Sequence, residues 1–314
     1  MLKQVKSFLL LVAFLPVFLS SCRGAAETAQ PVTDVGAEAS ASGAVLTVTV
    51  SVLPQKYFVE RIGGDLVRVN VMVEPGASPH SYEPKPDQMR ALSESAAYFS
   101  IGVEFEDAWL ERIAASNDQM LMVDTIANID RVEMVAHEHE DEDGEAHDGE
   151  EVELDPHVWT SPELVKTMSQ TIYETLVEID PAHEAAYSEN LQLFVDDINA
   201  LQTEITGSLA GLKSSKFMVF HPAWGYFARE FGLEQISIEV GGQEPSAQEL
   251  AGLIDQAKAD NIKVVFAQPE FNTKSADVIA NEIGGKVLLI SPLEPDWLAN
   301  MQTVSLAFAE ALAN

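Results

Sequence analysis

Apolar residues at 187, 191, 194, 198, 201, 205, 209 and 212 recur every three or four positions and define one narrow helix face. Asp180 and Pro181 suit the start of that helix, Asp as an N-cap and Pro at the first helical position. The pattern predicts a helix over 180–212, roughly 45 Å long at about 1.5 Å per residue. That is more than one small domain needs, so the segment reads as a link between two lobes. On both sides of it the hydrophobic period alternates between strand and helix. Before it, strand-like runs at 45–52, 67–73, 97–101 and 120–123 alternate with helical runs at 54–62, 86–93 and 109–115. After it, strands at 216–220, 235–239, 264–267 and 287–290 alternate with helices at 225–231, 246–260, 273–283 and 297–312. Such alternation predicts βα units: an α/β chain of two lobes, each with a mainly parallel four-stranded sheet flanked by helices.

The first 43 residues stand outside this pattern. Lys3 and Lys6 precede the apolar run 8–19, which is too short for a membrane span and suits a signal-peptide core. Leu19-Ser20-Ser21-Cys22 follows and resembles a bacterial lipobox, with Cys22 as the lipidated residue of the mature chain. Residues 22–43, rich in Ala, Ser, Gly, Thr and Glu, read as a flexible tether. The domain reading is therefore leader 1–21, tether 22–43, first lobe 44–179, linking helix 180–212 and second lobe 213–314.

Charge and cysteine content narrow the chemistry. The 18 basic and 50 acidic residues give −32, and loss of Lys3 and Lys6 with the leader leaves 16 against 50, or −34. Nucleic acid is excluded as a natural partner, whereas cations are drawn to such a surface. Cys22 is the single cysteine, so the chain holds no intramolecular disulfide, and any metal site must use histidine and carboxylate.

Three histidines fall where an open α/β sheet places its ligands, beyond the carboxyl ends of strands. His80 lies in Gly76-Ala77-Ser78-Pro79-His80-Ser81-Tyr82-Glu83-Pro84, after the second strand. His157 lies in Asp155-Pro156-His157-Val158-Trp159, before a helix that begins near Pro162. His221 directly follows the strand ending at 220. Two precede the linking helix and one follows it, so a site using all three must lie between the lobes. Three imidazoles suit zinc and its transition-metal neighbours. Trp159 and Trp224 stand close by in sequence, either to shield a metal or to pack a core.

The segments 76–84 and 155–159, together with His221-Pro222-Ala223-Trp224-Gly225-Tyr226-Phe227, resemble the motifs of the zinc/manganese substrate-binding lipoproteins of ABC transporters. The resemblance spans the chain beyond the tether, in the family's order. It implies a rigid interlobe helix, His80, His157 and His221 as metal ligands, and delivery of one divalent ion to a membrane permease. It further implies a monomer in the periplasm or at the cell surface, held to the membrane by its lipid, and not an enzyme. The family often supplies an Asp as fourth ligand where this chain has Ser291, in Ser291-Pro292-Leu293. A serine hydroxyl is a poor zinc ligand, which leaves water or a carboxylate such as Glu270. Histidine at 221, where manganese-type relatives often carry Glu, favours Zn(II) over Mn(II); iron is a further alternative.

The run 137–151 carries His137, His139 and His147 among acidic residues and cannot build a core. It reads as a loop, either a solvated charge run or an auxiliary zinc site like the His-rich loop of the family's zinc-specific members. His183 reads as a surface residue. A zinc hydrolase is the contrasting class, since three histidines plus water is also a catalytic set, but no HExxH or Gly-x-Ser-x-Gly pattern is present. A surface adhesin, a role attributed to some relatives, is the other alternative.

Overall fold

The β-branched runs of the first lobe form strands, of which the two central ones, 46–50 and 97–100, are largely buried on both faces between helices, while the outer two are partly exposed. The computed structural model describes residues 45–134, 154–240 and 242–313. The leader, Cys22, the tether, and His137, His139 and His147 of the acidic run lie outside the described residues. In the first lobe β1 (Leu46–Val50), β2 (Val67–Val71), β3 (Ala97–Ser100) and β4 (Leu121–Asp124) pair in the order β2-β1-β3-β4, all parallel. Helices α1 (Leu53–Gly63), α2 (Pro86–Ala91) and α3 (Glu104–Ala115) connect them, and α4 (Pro162–Ile179) follows. The linking helix is α5 (Glu184–Ser208).

The second lobe repeats the plan. Strands β5 (Lys216–Val219), β6 (Glu234–Ser237), β7 (Val264–Ala267) and β8 (Lys286–Leu289) pair in the order β6-β5-β7-β8, again parallel. They alternate with α6 (Gly225–Phe231), α7 (Ala247–Ala259), α8 (Lys274–Glu282) and α9 (Trp297–Leu312). Ser246 caps α7 by accepting from the Glu249 N–H, while Glu249 accepts from the Ser246 N–H, the reciprocal pair its spacing predicts. No described helix is long and apolar enough to cross a membrane.

Two helices depart from their predicted limits. The linking helix is 25 residues rather than the full 180–212. Pro181–His183 forms a 3₁₀ turn instead, and the Asp180 carboxylate accepts from Tyr187 Oη (2.7 Å) and pairs with His183 Nδ1 (2.6 Å) rather than capping backbone N–H groups. At the other end the chain turns out at Gly211, whose φ of +73° is left-handed. Helix α3 begins at Glu104, five residues before the predicted 109, because acidic residues 104, 106 and 107 suit a first turn.

Tyr187, Phe194, Ile198, Leu201 and Ile205 of the linking helix are buried, and α5 packs on α1 and α4 of one lobe and α9 of the other. Trp297 at the start of α9 is the pivot of this junction. Its ring lies edge-on to Phe58 (5.3 Å) and Phe194 (6.3 Å), joining α9, α1 and α5 in one aromatic cluster. One hydrophobic core therefore runs from β1 and β3 through α5 to β5, β7 and α9, while a second lies among β5, β7, α7 and α8.

Candidate metal centre

In both sheets the strand order reverses beside the first strand of the lobe, and the carboxyl ends there face the cleft. His80 comes from the 3₁₀ turn Pro79–Ser81 beyond β2, where the Ser78 hydroxyl accepts from its N–H. His157 leads the 3₁₀ turn Val158–Thr160 ahead of α4. His221 lies just beyond β5. The buried Gln268 side chain, after β7, clamps its backbone by accepting from the His221 N–H (3.2 Å) and donating to its carbonyl (2.7 Å).

The structure brings the three predicted histidines together. His80 Nε2 is 3.0 Å from His221 Nε2, which is 3.3 Å from His157 Nε2, and one nitrogen of each ring lies within 4.8 Å of the other two. The opposite nitrogen of every ring faces a carboxylate. His80 Nδ1 is 2.7 Å from Glu104 Oε1, His157 Nδ1 is 2.8 Å from Asp155 Oδ1, and His221 Nδ1 is 2.6 Å from Glu239 Oε2. For His157 and His221 those hydrogen bonds assign the tautomers, with the proton on Nδ1 and a lone pair on Nε2, while His80 stands at ion-pair distance from Glu104, whose oxygens make no hydrogen bond of good geometry. Lone pairs converging at this spacing repel one another unless a cation stands between them. Ligands about 2.0–2.1 Å from a tetrahedral zinc are themselves about 3.3 Å apart, so the geometry fits that ion.

Electrostatics agree with this assignment. Burial lowers the pKa of His221 to about 4, against the opposing hydrogen bond that its ring donates to Glu239 and with the help of His157 and His80. Burial alone would raise the Glu104 carboxyl, but the hydrogen bond and charge of His80 prevail and hold it below the usual range. Phe271 stacks on the His221 ring (4.7 Å, 16° between planes) and meets His80 edge-on, forming an apolar wall.

The other candidates separate. Ser291 donates to Glu270 Oε1 (2.8 Å) and itself accepts from the Leu293 N–H, so the hydroxyl is engaged away from the histidines. Glu270 lines the same cavity of about 20 Å³ as the histidines, its Oε2 buried without a hydrogen-bond partner, but it falls outside the 4.8 Å group. Trp159 borders His157 at 5.2 Å and donates from Nε1 to the Pro292 carbonyl, while Trp297 Nε1 donates to the Trp159 carbonyl; these indole bonds tie the lobes together beside the site. Trp224 instead packs on Phe227 and Phe308 in the core.

Sequence reasoning missed Glu104, Glu239 and Gln268, and it read Asp155 only as part of a motif. The available signal was position: Glu104 and Gln268 follow predicted strand ends and Glu239 closes one, on the side where ligands gather. Gly225 is matched to this arrangement, since a Cβ there would lie 2.9 Å from Asp155 Oδ2. Tyr226 completes the support, its hydroxyl donating to the Asp155 carbonyl and accepting from the Val132 N–H.

Twin parallel α/β lobes, bridged by one helix and meeting over clustered imidazoles, define a solute-binding protein. The chain matches the family model described as zinc-uptake complex component A, periplasmic, over residues 48–311, and it belongs to that family. It is 30% identical to the high-affinity zinc uptake system protein ZnuA of Bacillus subtilis over 260 residues, covering 82% of this chain and 81% of the relative. A crystal structure of ZnuA is 46% identical with a TM-score of 0.79, over 86% of this chain and 100% of that one. FpvC of Pseudomonas aeruginosa, in complex with Mn2+, is 25% identical with a TM-score of 0.73, over 86% of this chain and 99% of that one.

Proposed function

We propose that the chain captures one Zn(II) ion through Nε2 of His80, His157 and His221 and delivers it to the permease of an ABC importer. The observation that carries this reading is the convergence of three Nε2 atoms, each backed by a carboxylate on Nδ1. Three imidazoles with no carboxylate among the nearest donors favour zinc over manganese and iron. Water takes the fourth position, since Ser291 is engaged with Glu270 and Glu270 stands outside the group. The site serves binding and not catalysis, His157 and His221 being buried beside Trp159 and Phe271.

The remaining assignments belong to the same proposal. Residues 1–21 direct export, Cys22 carries the lipid, 22–43 tether a monomer to the membrane outside the cytoplasm, and the lobes are 44–179 and 213–314. His137, His139 and His147 supply a weak auxiliary zinc site. Calorimetric titration of metal-stripped protein with Zn(II) and Mn(II) tests the reading. Tight binding of one zinc, abolished when His80, His157 and His221 are all alanine, is expected. Undiminished tight binding in that variant would refute it.

A further inference from the structure

Behind Glu104 lies a second carboxylate that makes no contact with the histidines. Glu106, on the first turn of α3, is only 3% exposed. Its carboxylate accepts from the N–H of Ile101 (3.1 and 3.2 Å to its two oxygens) and of Gly102 (2.7 Å), and the Ser51 hydroxyl donates to Oε1. Ser51 follows β1, and Ile101 and Gly102 follow β3, so one side chain ties the ends of both strands to the start of α3. The turn it spans is tight. Gly102 has a φ of +75°, and a Cβ there would lie 3.0 Å from Ile126 and 3.1 Å from Arg131.

Burying a carboxylate is costly, and an apolar residue could close a strand-to-helix turn without that cost. Here the cost falls at the turn that brings Glu104 to His80. We propose that Glu106 is a positioning residue for the metal centre. By holding the Ile101 and Gly102 N–H groups it fixes the first turn of α3, which keeps the Glu104 carboxylate against His80 Nδ1 and turns His80 Nε2 toward His221. This inference rests on the zinc reading above.

The test is a double-mutant cycle in the full mature chain, with zinc affinity read by chelator competition and folding by thermal melting. Glu104→Ala removes the partner of His80 and should weaken zinc binding about 10- to 100-fold, the usual range for a residue that orients a ligand. Glu106→Ala should weaken it about tenfold on its own and have no further effect in the Glu104→Ala background. Glu106→Gln should restore wild-type affinity, because its amide oxygen accepts from Ile101 and Gly102 while its amide nitrogen faces the Ser51 hydroxyl. Unchanged affinity in Glu106→Ala, or an equal loss with and without Glu104, would overturn the proposal, whatever the melting temperature does. Should Glu106→Ala not fold, Glu106→Met, which keeps the side chain's length but accepts neither N–H, takes its place and is read in the same way. Amide exchange in zinc-free protein separates this inference from the zinc reading. Ile101 and Gly102 should exchange slowly in the wild type and in Glu106→Gln, and faster in Glu106→Ala. That pattern would stand even if the wild type bound no zinc, an outcome that would sink the zinc reading instead.

Discussion

The carboxylate behind His221 offers the sharpest test of how the centre is tuned. Glu239→Gln keeps the shape of the side chain and leaves an amide oxygen able to accept the Nδ1 proton, but removes the charge 2.6 Å from the ring. Glu239 is buried, so no water replaces what is lost. A ligand histidine deprived of its carboxylate partner loses about 10- to 100-fold in metal affinity, or about 1.4–2.7 kcal/mol at 1.4 kcal/mol per tenfold. Competition against a chromophoric chelator near pH 7.5, where imidazole is neutral, reads this directly. Asp65→Asn, at an exposed position on the turn leading into β2, removes one negative charge elsewhere and controls for the overall field. Should Glu239→Gln bind zinc within about twofold of the control, the charge of the carboxylate is not tuning the ligand and the reasoning fails, while the tautomer, which the amide oxygen still fixes, is untouched.

Other consequences follow from single contacts. The zinc-free protein should lose stability as pH falls from about 6.5 toward 4, at up to about 1.4 kcal/mol per unit, because unfolded His221 takes up a proton that the native ring refuses. Thermal melts of the wild type and His221→Asn across this window check it, and the variant should lack that slope. Glu106, pushed up to about 7 chiefly by burial, works in a different window, its contribution being full below about 4.5 and lost as pH rises through 7. Gly225→Ala should displace Asp155 from His157 and weaken zinc binding about tenfold in the same chelator assay. Trp297→Ala should cost about 3–5 kcal/mol in chemical denaturation, since it empties the junction of α1, α5 and α9 and leaves the Trp159 carbonyl unpaired.

Much of the frame was legible because it rests on local rules. Both sheets, the linking helix and the capping of α7 follow from period, β-branching and an Ser-x-x-Glu spacing. The ends of the linking helix did not, because they depend on where the Asp180 side chain finds partners and on the left-handed turn at Gly211. The three histidines were readable from their places after strands and within motifs. Glu104 and Glu239 were not singled out, because in a chain with 50 acidic residues a place at a strand end does not mark one carboxylate above the rest until the fold sets it against an imidazole. Asp155 sat in plain view two residues from His157, yet only geometry shows its Oδ1 accepting both the backbone and the ring N–H of that histidine.

The paired carboxylates and the continuous core bear on one problem, which is how a binding site discriminates among divalent ions. Intrinsic affinity follows the metal more than the protein, so selection has to come from donor type and fixed geometry. Here the donors are held at both ends. Each ring is fixed by a carboxylate on its far nitrogen, and His221 is further held through its backbone by Gln268. The lobes that carry them are joined by α5, by the Trp297 cluster and by indole bonds at Trp159, so the cleft cannot open widely without breaking core packing. Such a frame resists rearrangement toward the larger, oxygen-rich shells that harder cations require. Under the zinc reading proposed above, rigidity of the scaffold and the choice of imidazole are two halves of one selectivity device, the first fixing the size of the site and the second its softness.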